Sequence, residues 1–154
     1  MENQLNRELY ELACDAHLCN EHRQAWGNKD KLALIQYYKD NPDWCLERQF
    51  PALKYMEDHF NNEEARDEGV FVSQNIDNLV LEDQVYIFVN CTGYAHVKFN
   101  PEKAIFPMIY LSQGSKMSFI VDGSSSPFQL YDNSQVKIDV VNGGKFKIYK
   151  CESA

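Results

Sequence analysis

A chain of 154 residues with a formal net charge of −8 is long enough for one domain with an appended subdomain. Its 44% hydrophobic share excludes disordered and collagen-like classes, and no run approaches the ~20 apolar residues of a membrane helix. The acidic balance argues against a broad phosphate-backbone footprint, so no nucleic-acid partner is expected.

From the N-terminus, residues 2–26 read as one amphipathic helix, with Leu5, Leu9, Leu12, Ala16, Cys19, Arg23 and Trp26 on a stripe and Gly27 placed for a C-terminal cap. Met1 to Glu11 is charged and lacks the apolar block of a signal peptide. Five cysteines without regular spacing agree with a reducing compartment, and a cytoplasmic location is expected. Asn28 or Asp30 caps a second helix with Leu32, Ile35 and Tyr38 inward, ending by Asn41 because Pro42 follows. Pro42 opens a third short helix through Trp44, Cys45 and Leu46, and Phe50-Pro51 a fourth with Leu53, Met56 and Phe60. Residues 1–62 thus form a helical subdomain that needs a partner surface for its apolar stripes. Residues 63–69, rich in Glu and Asp and ending in Gly69, read as an acidic linker, and Val70-Phe71-Val72 as a first partial rung.

Residues 70–150 carry the organising signal. Apolar pairs with one residue between them recur in two interleaved phases. The first is Leu79/Leu81, Val97/Phe99, Met117/Phe119 and Val136/Ile138, with steps of 18, 20 and 19 residues. The second is Ile87/Val89, Ile109/Leu111, Phe128/Leu130 and Phe146/Ile148, with steps of 22, 19 and 18. A period near nineteen built from two short strands predicts a two-sheeted β-solenoid. Turn residues share that period: Glu82-Asp83, Asn100-Pro101, Asp122-Gly123 and Asn142-Gly143-Gly144 after one phase, Thr92-Gly93, Gln113-Gly114 and Asp132-Asn133 after the other. An antiparallel β-sandwich is the alternative, since it too shows strands every 8–12 residues. The fold class is therefore α+β, a helical subdomain packed on or capping a short solenoid.

With the pairs inward, the first-phase exterior holds His96, Lys98, Lys116, Ser118, Gln135 and Lys137. The second-phase exterior holds Tyr86, Phe88, Met108, Tyr110, Gln129, Tyr131, Lys147 and Tyr149. Apolar surface of that size needs a cover. The helices are one candidate. A protein partner, a second copy or a sugar bound through Tyr86, Phe88, Tyr110, Tyr131 and Tyr149 is the functional one. The last rung of a coil also leaves unpaired backbone, and the short tail Cys151–Ala154 is too short to cap it, which predicts self-association there.

No constellation for chemistry stands out. Cys14, His17, Cys19 and His22 on one helix point at about 0°, −60°, 140° and 80° and do not converge on a metal. Cys91 and His96, on turn and strand, face different ways for a thiol nucleophile. The six-residue repeat of solenoid acyltransferases and any Gly-rich phosphate loop are missing, so neither a cofactor nor a catalytic residue is expected.

Asn41-Pro42-Asp43-Trp44-Cys45, Phe50-Pro51-Ala52-Leu53, Glu68-Gly69-Val70-Phe71-Val72 and Asn90-Cys91-Thr92-Gly93, ahead of a repetitive β half, make the chain resemble small phage- and mobile-element-encoded proteins of gut bacteria. Those are scaffold motifs, and the resemblance implies no activity. The β half is also similar in style to bactofilin-like cytoskeletal solenoids, from which the helical N-terminal third departs. The reading that follows is a non-enzymatic protein-interaction module, with a self-assembling structural protein and a carbohydrate-binding module as alternatives.

Overall fold

The computed structural model describes residues 2–99, 102 and 106–151, with backbone alone for Glu2 and Asn3. Six helices precede nine strands among them: α1 (Glu2–Asp15), α2 (Asn20–Ala25), α3 (Lys31–Asp40), α4 (Pro42–Glu47), α5 (Leu53–His59), α6 (Glu63–Asp67), β1 (Val70–Val72), β2 (Asn75–Leu81), β3 (Val85–Val89), β4 (Thr92–Lys98), β5 (Met108–Ser112), β6 (Lys116–Asp122), β7 (Ser125–Leu130), β8 (Gln135–Val141) and β9 (Lys145–Lys150).

The single long helix expected over 2–26 is broken in two. His17 takes a φ of 69°, Leu18 N donates to Ala13 O at 3.0 Å and His17 N to Cys14 O at 3.0 Å, a Schellman ending with Leu18 buried behind it. Arg23 holds the break, donating from Nε to Leu18 O at 2.6 Å and from Nη2 to Cys14 O at 3.3 Å. The turn lets Trp26 fold back on α1, where its Nε1 donates to Asn6 Oδ1 at 2.7 Å. Asp30 caps α3 by accepting from Ala33 N at 2.8 Å, and Leu34, Ile35 and Tyr38 are buried while Leu32 is exposed. The acidic stretch read as a linker contains α6, capped by Asn62 Oδ1 accepting from Ala65 N at 2.9 Å.

The strands alternate between two sheets, β1-β3-β5-β7-β9 and β2-β4-β6-β8, and every neighbouring pair is parallel. The chain is a β-solenoid, and the antiparallel sandwich is excluded. Residues with positive φ mark the corners: Ser73, Asn90, Gln113, Gly114, Asp132 and Asn133 after the five-stranded sheet, Gly123, Asn142 and Gly143 after the other. Asn100-Pro101 lies outside the described residues. Thr92-Gly93 is not a corner but the start of β4. Its glycine is required by packing, because a Cβ there would sit 2.0 Å from Ile76 O, beside the register shift of β2.

The fixed period of nineteen turns out to be an average. Along the column Leu81, Val97, Val121 and Val140 the steps are 16, 24 and 19 residues. Val97 therefore pairs with Val121 rather than Met117, whose partner in β4 is Gly93. The difference is an even number of residues, so inward and outward faces survive.

Inside the coil five phenylalanines touch in sequence. Phe71 stacks on Phe88 at 5.1 Å between centroids, Phe88 meets Phe119 at 5.9 Å, Phe119 meets Phe128 at 5.0 Å, and Phe128 meets Phe146 at 6.3 Å. Offset and edge-on aromatic contacts add about 0.5–1.5 kcal/mol per pair beyond burial. A second core lies outside the coil, where α1, α3, α4 and α5 cover the five-stranded sheet through Leu9, Trp26, Ile35, Leu46, Met56, Val70, Val72, Ile87, Val89, Tyr110 and Tyr131. The helices are thus packed along the coil's flank and solve the exposure problem of that sheet.

Candidate functional site at the open last rung

The five residues expected to form an aromatic docking face do not share one surface. Tyr86 and Phe88 point into the coil, a correction of one residue in the phase of β3, where Ile87 and Val89 point outward instead. The cause is legible afterwards: β3 is Val-Tyr-Ile-Phe-Val, apolar at every position because both faces are covered. Tyr86 Oη accepts from Glu82 N at 3.2 Å. Tyr110 and Tyr131 face outward as expected, but under the helices. Tyr131 Oη donates to Asp43 Oδ1 at 2.5 Å, pinning α4 to the corner that follows β7, and Gln129 Nε2 donates to Tyr110 Oη at 3.4 Å. Only Tyr149 is exposed, with Lys147 Nζ 5.0 Å from its ring centroid.

The thiol and imidazole candidates are scattered. Cys91 is enclosed in the coil, with Sγ 3.3 Å from Phe71 O, while His96 lies on the outer face of β4 between Val80 and Ile120. Burial pushes the Cys91 thiol up to about 11, which keeps it protonated at neutral pH. His22 Nδ1 sits 2.7 Å from Tyr37 Oη, and the helix break at His17 separates it from Cys14. Among the described residues no three His, Cys, Asp or Glu groups come together as metal ligands.

Burial also pushes Tyr37 and Tyr110 up to about 12, from 10.0 in the free side chain, and holds Tyr131 well above its ordinary range with help from the Asp43 hydrogen bond. Raised folded-state values mean stability that is complete below the ordinary values and lost as pH rises through the folded ones. Cys91 begins this at 9.0 and the tyrosines at 10.0. Lys39, lowered from 10.5 by burial, acts the other way, one group against several. The expected result is a melting temperature that falls steadily from pH 9 to 12 and tyrosinate absorbance that rises together with unfolding. A melting temperature level to pH 12 would contradict the burial of these groups.

What distinguishes one place on the molecule is the contrast between the ends of the coil. At the first rung the inward residues Phe71, Ile76 and Leu81 are covered, at 7%, 7% and 0% exposure, and Leu79 is half-buried. At the last rung Val136 and Ile138 are half-buried, while the inward residues Val140, Phe146 and Ile148 stand at 45%, 41% and 40%. Val140 and Ile148 continue the columns Leu81–Val97–Val121–Val140 and Tyr86–Ile109–Phe128–Ile148, and Phe146 follows Ser126 in its own inward column. β8 and β9 each have a strand neighbour on one side alone. The first rung is shortened and irregular, with β1 three residues long and β2 interrupted at Asn78, which has a φ of 57°. Shortness and irregularity blunt that edge, whereas β8 and β9 run seven and six residues without interruption and β9 carries lysines instead, a charge that selects what can pair there.

No family model, no curated protein and no solved structure matches this chain. Its class is therefore defined by its own geometry: a short parallel β-solenoid, flanked by helices, covered at its first rung and open at its last.

Proposed function

We propose that this chain is a non-enzymatic protein-interaction module whose docking surface is the open C-terminal rung. The observation that carries this reading is the exposure of three inward core residues, Val140, Phe146 and Ile148, beside two long strand edges. An extended segment of another polypeptide satisfies both needs at once. Its backbone takes the unpaired N–H and C=O groups, and its side chains continue the interior columns. The aromatic sheet face belongs to the helices, which moves the interaction from the coil's side to its end.

Selection from a random peptide-display library on the folded protein tests this. Peptides recovered are expected to lose binding to a Phe146→Ser/Ile148→Ser variant and to keep it with Leu32→Ser, a change at an exposed apolar residue on α3. Both variants should melt within a few degrees of the parent, because these side chains are already half-exposed. Peptides that bind the first variant undiminished would place the interaction elsewhere.

A further inference from the structure

We infer that the occupant of the open rung is an acidic extended segment of a partner protein, paired along β9, and not a second copy of this chain. The inference rests on the docking reading above and adds the chemistry of the partner. In a chain of formal net charge −8, the strands of the last rung are basic: Lys137 on β8 and Lys145, Lys147 and Lys150 on β9, all exposed, stand against Asp139 on β8 and Asp132 in the corner before it. Lys145, Lys147 and Tyr149 alternate with Phe146 and Ile148, so β9 presents a row of ammonium groups beside a row of apolar ones. Lys150 occupies the register of the interior column above Leu130, an inward charge at the rim of the core.

Two copies meeting at their last rungs would set these lysines against their own images at strand spacing, the device by which natural edges refuse self-pairing. Head-to-tail growth meets the covered and irregular first rung described above. A strand that alternates carboxylates with apolar residues meets neither obstacle. Its acidic row lies beside Lys145 and Lys147, and its apolar row covers Phe146 and Ile148. Opposite charges directly across a strand pair favour that register over a neutral one.

The test uses three labelled six-residue peptides that alternate valine with glutamate, serine or lysine, read by fluorescence anisotropy against the full chain. The glutamate peptide is expected to bind at least tenfold more tightly than the serine peptide, and to weaken as salt is raised. In a K145E/K147E variant of unchanged melting temperature, the preference should reverse to the lysine peptide. Equal binding of the glutamate and serine peptides, unaffected by the charge swap, would overturn the acidic partner and leave the docking rung intact. If no peptide binds, both readings fall. A dimer in the parent chain at micromolar concentration, dissociated by Ile148→Ser, would assign the rung to a second copy. An oligonucleotide of equal charge that binds as tightly would make the patch a general polyanion site and overturn the inference as well.

Discussion

Phe119→Ala lowers the free energy of unfolding by about 3–5 kcal/mol, whereas Phe146→Ala lowers it by about 1 kcal/mol. The two residues belong to the same ladder of rings, but Phe119 is enclosed between Phe88 and Phe128 while Phe146 has Phe128 on one side and an open end on the other. Removing a ring from the middle leaves a cavity lined by the remaining rings, which the parallel strands on both sides hold apart. Removing it at the end leaves a dent that water fills. Chemical denaturation of both variants reads the gradient directly. Equal losses at the two positions would mean that the last rung is covered, and would remove the basis for docking there.

The Tyr110→Ser/Tyr131→Ser variant is expected to be unfolded or nearly so at room temperature. Each ring fills the seam between the helices and the five-stranded sheet, and truncating a large buried side chain costs roughly 2–5 kcal/mol. Two such losses rival the total stability of a typical domain, about 5–15 kcal/mol. The Tyr131 change also strips Asp43 of its hydroxyl donor at the helix–sheet contact. Tyr149→Ser, on the same outward row of the sheet but exposed, should change stability by no more than about 0.5 kcal/mol. Circular dichroism and thermal melts distinguish the outcomes. A double variant with the parent's melting temperature would mean that the tyrosines face solvent and that the helices lie elsewhere.

How much of this could be read from the chain follows from how many faces each strand buries. β6, β7 and β8 alternate cleanly because the coil interior is on one side, and the pairs Met117/Phe119, Phe128/Leu130 and Val136/Ile138 face that interior as their spacing predicts. β3 is buried on both faces, so its side-chain period vanishes and Tyr86 and Phe88 read as exterior. The register of β4 departs from the mean period for a different reason: the connection between Phe99 and Met108 lengthens one turn of the coil, and a mean spacing hides it. The break at His17 carries no glycine or proline to announce it, and α6 is too short for any periodicity to show. The basic charge of the last described rung is written in Lys145, Lys147 and Lys150, but a formal charge of −8 for the whole chain masks that local reversal of sign.

The parallel coil itself is tested most directly by nuclear Overhauser contacts among methyl protons of the inward column Val97, Val121 and Val140, toward the C-terminal ends of β4, β6 and β8. The structure predicts strong cross-peaks from the Val97 methyls to those of Val121 and from these to the Val140 methyls, each residue one rung beyond the last. Cross-peaks that instead join Val97 to Met117, with none to Val121, are what antiparallel pairing of the same strands gives, and would contradict the coil and remove the open rung with it.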